Sequence, residues 1–390
     1  MKKVVLITPG VLPVPATQGG AIETLVELLL EQNEICKNVK LIVFSKYEKD
    51  AYALSLKYNN SEITWLKSNK FVEKIYFLFY HALRKIFGYK LPYSNLYYLQ
   101  AYRKIKKISY DSIVVEGGNY EFFKTLPTKE NLYLHIHHEL FPNEITDDIY
   151  DNIIGVSEFV KNQWVSNSKK KSLNSKAIYN CIREEYFSLE ITVDERYEIR
   201  TKLGFKKNDF VILFCGRIAE VKGIKELLNA VQKCNNQNIK LLIIGSVNFA
   251  LHDKSDFANE INELVSTMGE RVKYTGYVDN KLLYKYYQAA DIQAIPSLCE
   301  EAAGLVAIEG MYSGLPIIAT NSGGLIEYID DKCAIIVEKD DSVVNNIHIA
   351  IEKLYNNPTL RYEMSVHGKK RAKRFSKKTF YDEFIEFVLQ

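Results

Sequence analysis

The chain has 390 residues, 47% hydrophobic and 25% charged, a composition suited to a globular protein of two or three domains with enough apolar surface for a core. A net charge of +3 is too small to indicate nucleic acid as a partner, and no eighteen-residue apolar run occurs that would cross a bilayer. Pro9 and Gly10 interrupt the opening "MKKVVLITPGVLPVP" too early for a signal peptide, so a cytoplasmic location is expected, and six scattered cysteines without a CxxC pair read as reduced core thiols.

Taken in chain order, two halves each open on a short apolar strand that runs into a glycine turn, "KKVVLITPG" (2–10) and "DFVILFCGR" (209–217). "VKLIVFS", "DSIVVEGG", "NLYLHIH" and "NIIGVS" follow in the first half; "IKLLIIGS", "RVKYTGYV", "ADIQAIPS", "LPIIATNS" and "CAIIVEK" follow in the second. Apolar runs without in/out alternation, separated by amphipathic helices, indicate parallel sheets covered on both faces. The expected fold class is α/β, with two doubly wound, Rossmann-like domains. The polar stretch "CIREEYFSLEITVDE" places the boundary within 181–195, giving domains 1–185 and 186–372. Phe380, Phe384 and Phe387 at helical spacing mark a final helix within 373–390, expected to return to the first domain.

Ligands in such sheets bind beyond the carboxyl ends of the strands, and four of those turns are unusual. In the first, "VLPVPATQGGAIETLVELLLE", Gly19 and Gly20 permit close backbone approach, and the helix from Ala21 would aim its first amides at a ligand. The segment is not GxGxxG, which argues against a dinucleotide site. In the second, "LHIHHELF", His135 and His137 share a face of a strand; a zinc site would need further ligands at recognisable spacing, and buried structural histidine is the plainer alternative.

The third turn, "CGRIAEVKGIKELLNAV", places Arg217 and Lys222 after Gly216, where two cations can converge on one diphosphate. In the fourth, "SLCEEAAGLVAIEGMYSGLPIIATNSGG", Glu301 precedes a helix that starts near Gly304 and carries Glu309. A carboxylate in such apolar company needs donors, which sugar hydroxyls supply. The free amides at Gly304 and Leu305 suit a phosphate.

The spacing Glu301-x7-Glu309 and the run "GLVAIEGMYSGLPIIATNSGGLIEYI" resemble the retaining nucleotide-sugar glycosyltransferases of family 4, which have the GT-B fold. "QGGAIETL", "VSEFVK", "IYNCI", "GRIAEVKGIKELLNA", "GYVDNKLLYKYYQAADI" and "RFS" match in the same order, so the resemblance covers most of the chain. It implies an acceptor-binding first domain facing a donor-binding second domain across a cleft. It also implies a hexosyl transfer from a nucleotide sugar, UDP-linked by family weight.

By that resemblance Arg217 and Lys222 neutralise the leaving diphosphate, Glu309 holds the ribose, and Tyr277 and Val278 present backbone to the base. Glu301, with the amides of Ala303, Gly304, Leu305 and Val306, holds the sugar and phosphate. Gly19, Gly20 and Ala21 face the phosphates from the first domain, and His137 rather than His135 stabilises positive charge at the anomeric carbon. The Asp-x-Asp motif of the other major transferase fold is absent, so neither metal nor cofactor is expected. Ala302-Ala303 replaces the usual Pro-Phe, which would alter the sugar pocket, and "IYNCI" replaces "IYNGV".

Between Lys67 and Lys107 stand ten Lys or Arg against one acidic residue, Glu73, among many aromatics. Such a segment suits peripheral contact with an anionic membrane at its inner face, or a polyanionic, teichoic-acid-like acceptor. A solvated pair of helices with core aromatics is the alternative. The acceptor is then a lipid-linked or cell-surface glycan, as in cell-wall or capsular polysaccharide biosynthesis. A non-catalytic transferase-like partner protein and a sugar-nucleotide epimerase are the competing functions.

Overall fold

The computed structural model describes residues 1–67, 70–87, 95–118, 120–125, 131–245 and 256–390. Its contacts divide the chain into two units, one made of Met1–Asn180 with Lys377–Gln390 and the other of Cys181–Ser376.

The first unit is built on β1 (Lys3–Ile7), β2 (Lys40–Lys46), β3 (Ser61–Leu66), β4 (Ser112–Val115), β5 (Leu132–Ile136), β6 (Asn152–Gly155) and β7 (Asn174–Ala177). They pair in parallel in the order β3-β2-β1-β4-β5-β6-β7. Val4 to Ile7 of β1 are fully buried, as a central strand covered on both faces requires. The strand order reverses between β1 and β4, which opens a crevice at their carboxyl ends.

Two helices of this unit resolve the basic aromatic segment, apart from residues 68–69 and 88–94, which lie outside the described residues. In the helix Leu96–Ile105, Tyr97 and Tyr98 are buried, so these aromatics are core. Tyr97 OH donates to the Phe44 carbonyl at 2.8 Å, and Tyr98 OH donates to the Pro9 and Gly117 carbonyls at 3.1 and 3.2 Å. The helix therefore clamps the turns that follow β1 and β4. The helix Lys70–Phe87 differs: Tyr76, Tyr80 and Leu83 form its inner side, while Phe71, Ile75, Leu78, Phe79 and Ile86 stand in solvent.

The final helix, Lys377–Val388, packs with the helix Ala21–Cys36 in the first unit. Phe380, Phe384 and Phe387 are buried, and Tyr381 OH donates to Asn33 Oδ1 at 2.6 Å. Asn33 is spoken for on its other side by the Val39 carbonyl and Ser61 Oγ. Phe384 and Phe387 contact the rings of His135 and Tyr133 on β5.

The second unit carries β8 (Phe210–Cys215), β9 (Ile239–Ile244), β10 (Val272–Gly276), β11 (Ile292–Ile295), β12 (Ile317–Thr320) and β13 (Ala334–Val337). They are parallel in the order β10-β9-β8-β11-β12-β13, with the reversal between β8 and β11. Ile212, Leu241 and Ile292 from three neighbouring strands join Leu227 and Leu228 of the helix Ile224–Lys233 and Ile347 and Ile351 of the helix Val343–Asn356 in one apolar cluster. All six cysteines are free thiols. Among the described residues no helix is long and apolar enough to cross a membrane.

Candidate functional site

The richest constellation in the second unit lies where its strand order reverses. The turn after β8 bends through Gly216, at φ 155°, where an added Cβ would meet nothing within 4 Å. Arg217 beside it is exposed. A short 3-10 turn, Glu220–Lys222, then ends on Gly223, whose φ of 66° favours glycine and whose added Cβ would lie 1.8 Å from the Pro296 carbonyl oxygen. That contact, with the Leu298 and Cys299 amides donating to the Val221 carbonyl at 2.9 and 3.2 Å, ties the β8 turn to the loop after β11.

This tie brings Lys222 to Glu301. Lys222 Nζ donates to Glu301 Oε1 at 2.5 Å, and Ser297 Oγ donates to the same oxygen at 2.5 Å. The Glu301 backbone is fixed separately: its amide donates to Ser322 Oγ, and its carbonyl accepts from the Gly324 amide. Both side chains are mostly shielded, at 21% and 18% exposure, so the pair is held yet reachable.

After Ala302 and Ala303, the helix Leu305–Tyr312 begins at Gly304, and no side chain caps it. The first-turn amides of Leu305 and Val306 thus keep their affinity for an anion. The helix sits close on β11 because Gly310 lacks a side chain: a Cβ there would lie 1.8 Å from Gln293 Oε1. Gln293 Nε2 in turn donates to the Val306 carbonyl at 3.0 Å.

Glu309 lies on the same helix but in a different group. Tyr287 OH donates to its Oε2 at 2.6 Å, and the Cys215 thiol at the end of β8 neighbours both. Burial pushes the Glu309 carboxyl up to about 7, opposed by the Tyr287 hydrogen bond, and pushes the Cys215 thiol up to about 12. Tyr287 was not foreseen from sequence; its place on a helix, Asn280–Ala289, far from the glycine turns gave no signal. Exposed Tyr277 and buried Val278 follow β10, two strand spacings or about 10 Å from β8.

In the first unit, Gly19 and Gly20 have φ of 78° and 99°, and Ala21 starts the helix Ala21–Cys36, which has no side-chain cap. A neighbour unseen in the sequence stands there: a Cβ on Gly20 would lie 2.2 Å from Glu23 Oε2. Burial raises the Glu23 carboxyl above its ordinary range. A phosphate approaching these amides would meet that carboxylate.

The two histidines are joined by a third residue, Glu116, at the end of β4. His135 Nδ1 donates to Glu116 Oε2 at 2.8 Å and His137 Nε2 donates to the same oxygen at 2.9 Å, with ring centroids 4.0 Å apart. Strands β4 and β5 are neighbours, Val115 pairing with Leu134, so the residues that follow them meet. Glu116 is 1% exposed; the two imidazoles outweigh its burial and hold it down at about 2. Burial, then the His135 ring, hold His137 down at about 4. His138 is exposed.

Glu116, His135 and His137 could together ligate a cation, as could Cys234, His348 and Glu352 in the second unit. Tetrahedral zinc ligands at their usual bond lengths lie about 3.3 Å apart. The 2.8 and 2.9 Å separations at Glu116 fit hydrogen bonds instead.

Comparison with known proteins places this geometry. Residues 195–371 match the model of the family described as glycosyl transferases group 1. An uncharacterized glycosyltransferase of Methanocaldococcus jannaschii is 33% identical over 180 residues, 45% of this chain and 44% of that protein. CapM, a capsular polysaccharide biosynthesis glycosyltransferase of Staphylococcus aureus, is 29% identical over 60% of each chain. The matched stretch thus spans about half the length of these relatives. Among solved structures, Anabaena HepE in complex with UDP superposes with a TM-score of 0.76 at 17% identity, over 100% of this chain and 99% of its own. The fold is that of the GT-B glycosyltransferases, and residues 195–371, in the second unit, are similar to the family of glycosyl transferases group 1.

Proposed function

We propose that the protein is a retaining glycosyltransferase that moves a hexosyl unit from a UDP-linked sugar to a cell-surface glycan or a lipid-linked acceptor, without a divalent metal. The observation that carries this reading is the grouping of Lys222, Glu301 and the uncapped amides of Leu305 and Val306 at the strand-order reversal.

In this reading Lys222 leaves Glu301 for the diphosphate, Arg217 adds a second cation, and Glu301 turns to the hydroxyls of the transferred sugar. Charge that builds on the departing diphosphate is met by these two cations, and such electrostatic stabilisation is the largest contribution to a step of this kind. Gly216 leaves room for the diphosphate. Glu309 receives the ribose hydroxyls, and the backbone at Tyr277 and Val278 receives the base. His137 answers the positive charge at the anomeric carbon. HepE has been solved with UDP-glucose as well as UDP, which supports UDP as the nucleotide.

The outer face of the helix Lys70–Phe87 supports a place at an anionic membrane. Phe71, Ile75, Leu78 and Ile86 recur at helical spacing on its exposed side, flanked by exposed Lys74 and Lys85. Such a face binds a lipid interface by burying apolar area beside anionic headgroups.

The test is a thermal-shift panel of UDP, GDP, dTDP and CDP, with and without magnesium, on wild type and Arg217→Ala. Stabilisation by UDP alone, independent of magnesium and weakened in the variant, is the expected result. A shift with none of the four would overturn the donor site.

A further inference from the structure

We propose that Glu116 is a positioning residue for His137, fixing the neutral ring as the Nε2–H tautomer so that Nδ1 is a bare acceptor. This rests on the role given to His137 above and concerns how that role is prepared.

An ionised carboxylate only accepts hydrogen bonds, so each ring nitrogen that faces Glu116 Oε2 must carry a proton. His135 therefore holds its proton on Nδ1 and His137 on Nε2, at 2.8 and 2.9 Å. In a neutral imidazole the other nitrogen is then a lone pair. The depressed titration of both Glu116 and His137 keeps the carboxylate charged and the ring neutral through the neutral pH range.

The two ring nitrogens that turn away from Glu116 differ in access. His135 Nε2 is enclosed and has no partner, with Phe384 against its ring at 5.9 Å. His137 is less enclosed, and its Nδ1 makes no hydrogen bond to the described protein. His135 thus serves as the second tether on Glu116, while His137 offers the usable nitrogen. A lone pair in that position meets a sugar hydroxyl or a carbon gaining positive charge, and cannot donate to a leaving group.

The cost of the arrangement argues that it has a use. Glu116 Oε1 is buried without a partner, an arrangement that an apolar pair of the same shape would avoid. A core histidine alone would need no buried carboxylate shared between two rings.

The experiment uses the full chain labelled with 15N in histidine, with long-range proton–nitrogen spectra recorded from pH 6 to 8. His135→Asn assigns the signals. The expected wild-type result is His137 as the neutral Nε2–H tautomer throughout. In Glu116→Gln, whose uncharged amide is a weaker acceptor and can turn its NH2 toward the rings instead, that fixed tautomer is expected to be lost. UDP-glucose hydrolysis should then fall roughly ten- to hundredfold in kcat, with KM changed less than about twofold; Glu116→Asp should recover part of both.

A wild-type His137 protonated on Nδ1, or exchanging between tautomers, overturns the proposal even if Glu116→Gln does not fold. So does a folded Glu116→Gln that keeps both tautomer and kcat. The role of His137 itself is read separately from His137→Ala: an unchanged kcat there removes the role from His137, whatever the spectra show.

Discussion

Lys222 and Glu301 stand 79 residues apart in the chain and meet in a 2.5 Å ion pair. The pair holds each group in the geometry its partner dictates, and in the proposed function a diphosphate replaces Glu301 as the company of Lys222. Two variants separate the cation from its store. Lys222→Ala should lower kcat/KM by roughly 100-fold or more, since it deletes charge stabilisation of the leaving group. Glu301→Gln should leave UDP binding within a few-fold in calorimetry while impairing transfer of the sugar.

Gly223 gives a stability prediction from backbone geometry. Its positive φ and the 1.8 Å approach of a Cβ to the Pro296 carbonyl leave no room for alanine. Gly223→Ala should destabilise the protein by about 2–3 kcal/mol and weaken UDP binding together with it, because the same turn carries Lys222. Denaturant unfolding and UDP titration on one preparation would show whether the two effects travel together.

Glu309 sets a pH dependence. Its carboxyl is raised to about 7 from an ordinary 4.5, so between those values the folded state binds more protons than the unfolded chain. Stability attributable to this group is therefore present below pH 4.5 and lost as pH rises through 7, by up to about 3 kcal/mol. Glu309→Gln should unfold at a higher temperature than wild type at pH 8, with the advantage shrinking toward pH 5. A difference that does not vary with pH would show that Glu309 does not titrate near 7.

The two sides of the helix Lys70–Phe87 make opposite predictions. Ile75→Asp with Leu78→Asp, on the exposed side, should leave the melting temperature within a degree or two of wild type and abolish sedimentation with phosphatidylglycerol vesicles. Tyr80→Ala, on the buried side, should cost about 3 kcal/mol of stability. Vesicle binding that survives the double aspartate variant would remove this face from the membrane.

Strands with two covered faces announce themselves, and the eleven apolar runs of the sequence are the interior of the two sheets and the edges of the second. The missing two, β3 "SEITWL" and β7 "NSKA", are the edges of the first sheet. An edge strand is covered less, so it needs fewer apolar residues and leaves a weaker trace. The glycine turns and Glu-x7-Glu likewise stood out, because each depends on residues close in sequence. Glu116 and Tyr287 did not. A lone carboxylate in "VVEGG" acquires meaning only once β4 lies beside β5. The aromatics of 67–107 divide for a similar reason: only the fold tells Tyr97 and Tyr98 in the core from Phe71 and Ile75 in solvent.

The last fourteen residues belong to the unit that the first 180 build, and this sets a timetable for synthesis. While residues 181–376 are being made, about ten to forty seconds at ordinary elongation rates, the first sheet has no Tyr381 for Asn33 and no Phe384 for His135. The second unit, continuous in sequence, can close as soon as it emerges. The first must wait with an apolar seat open, which makes that seat, between the helix Ala21–Cys36 and β5, the place where a nascent chain most needs a chaperone.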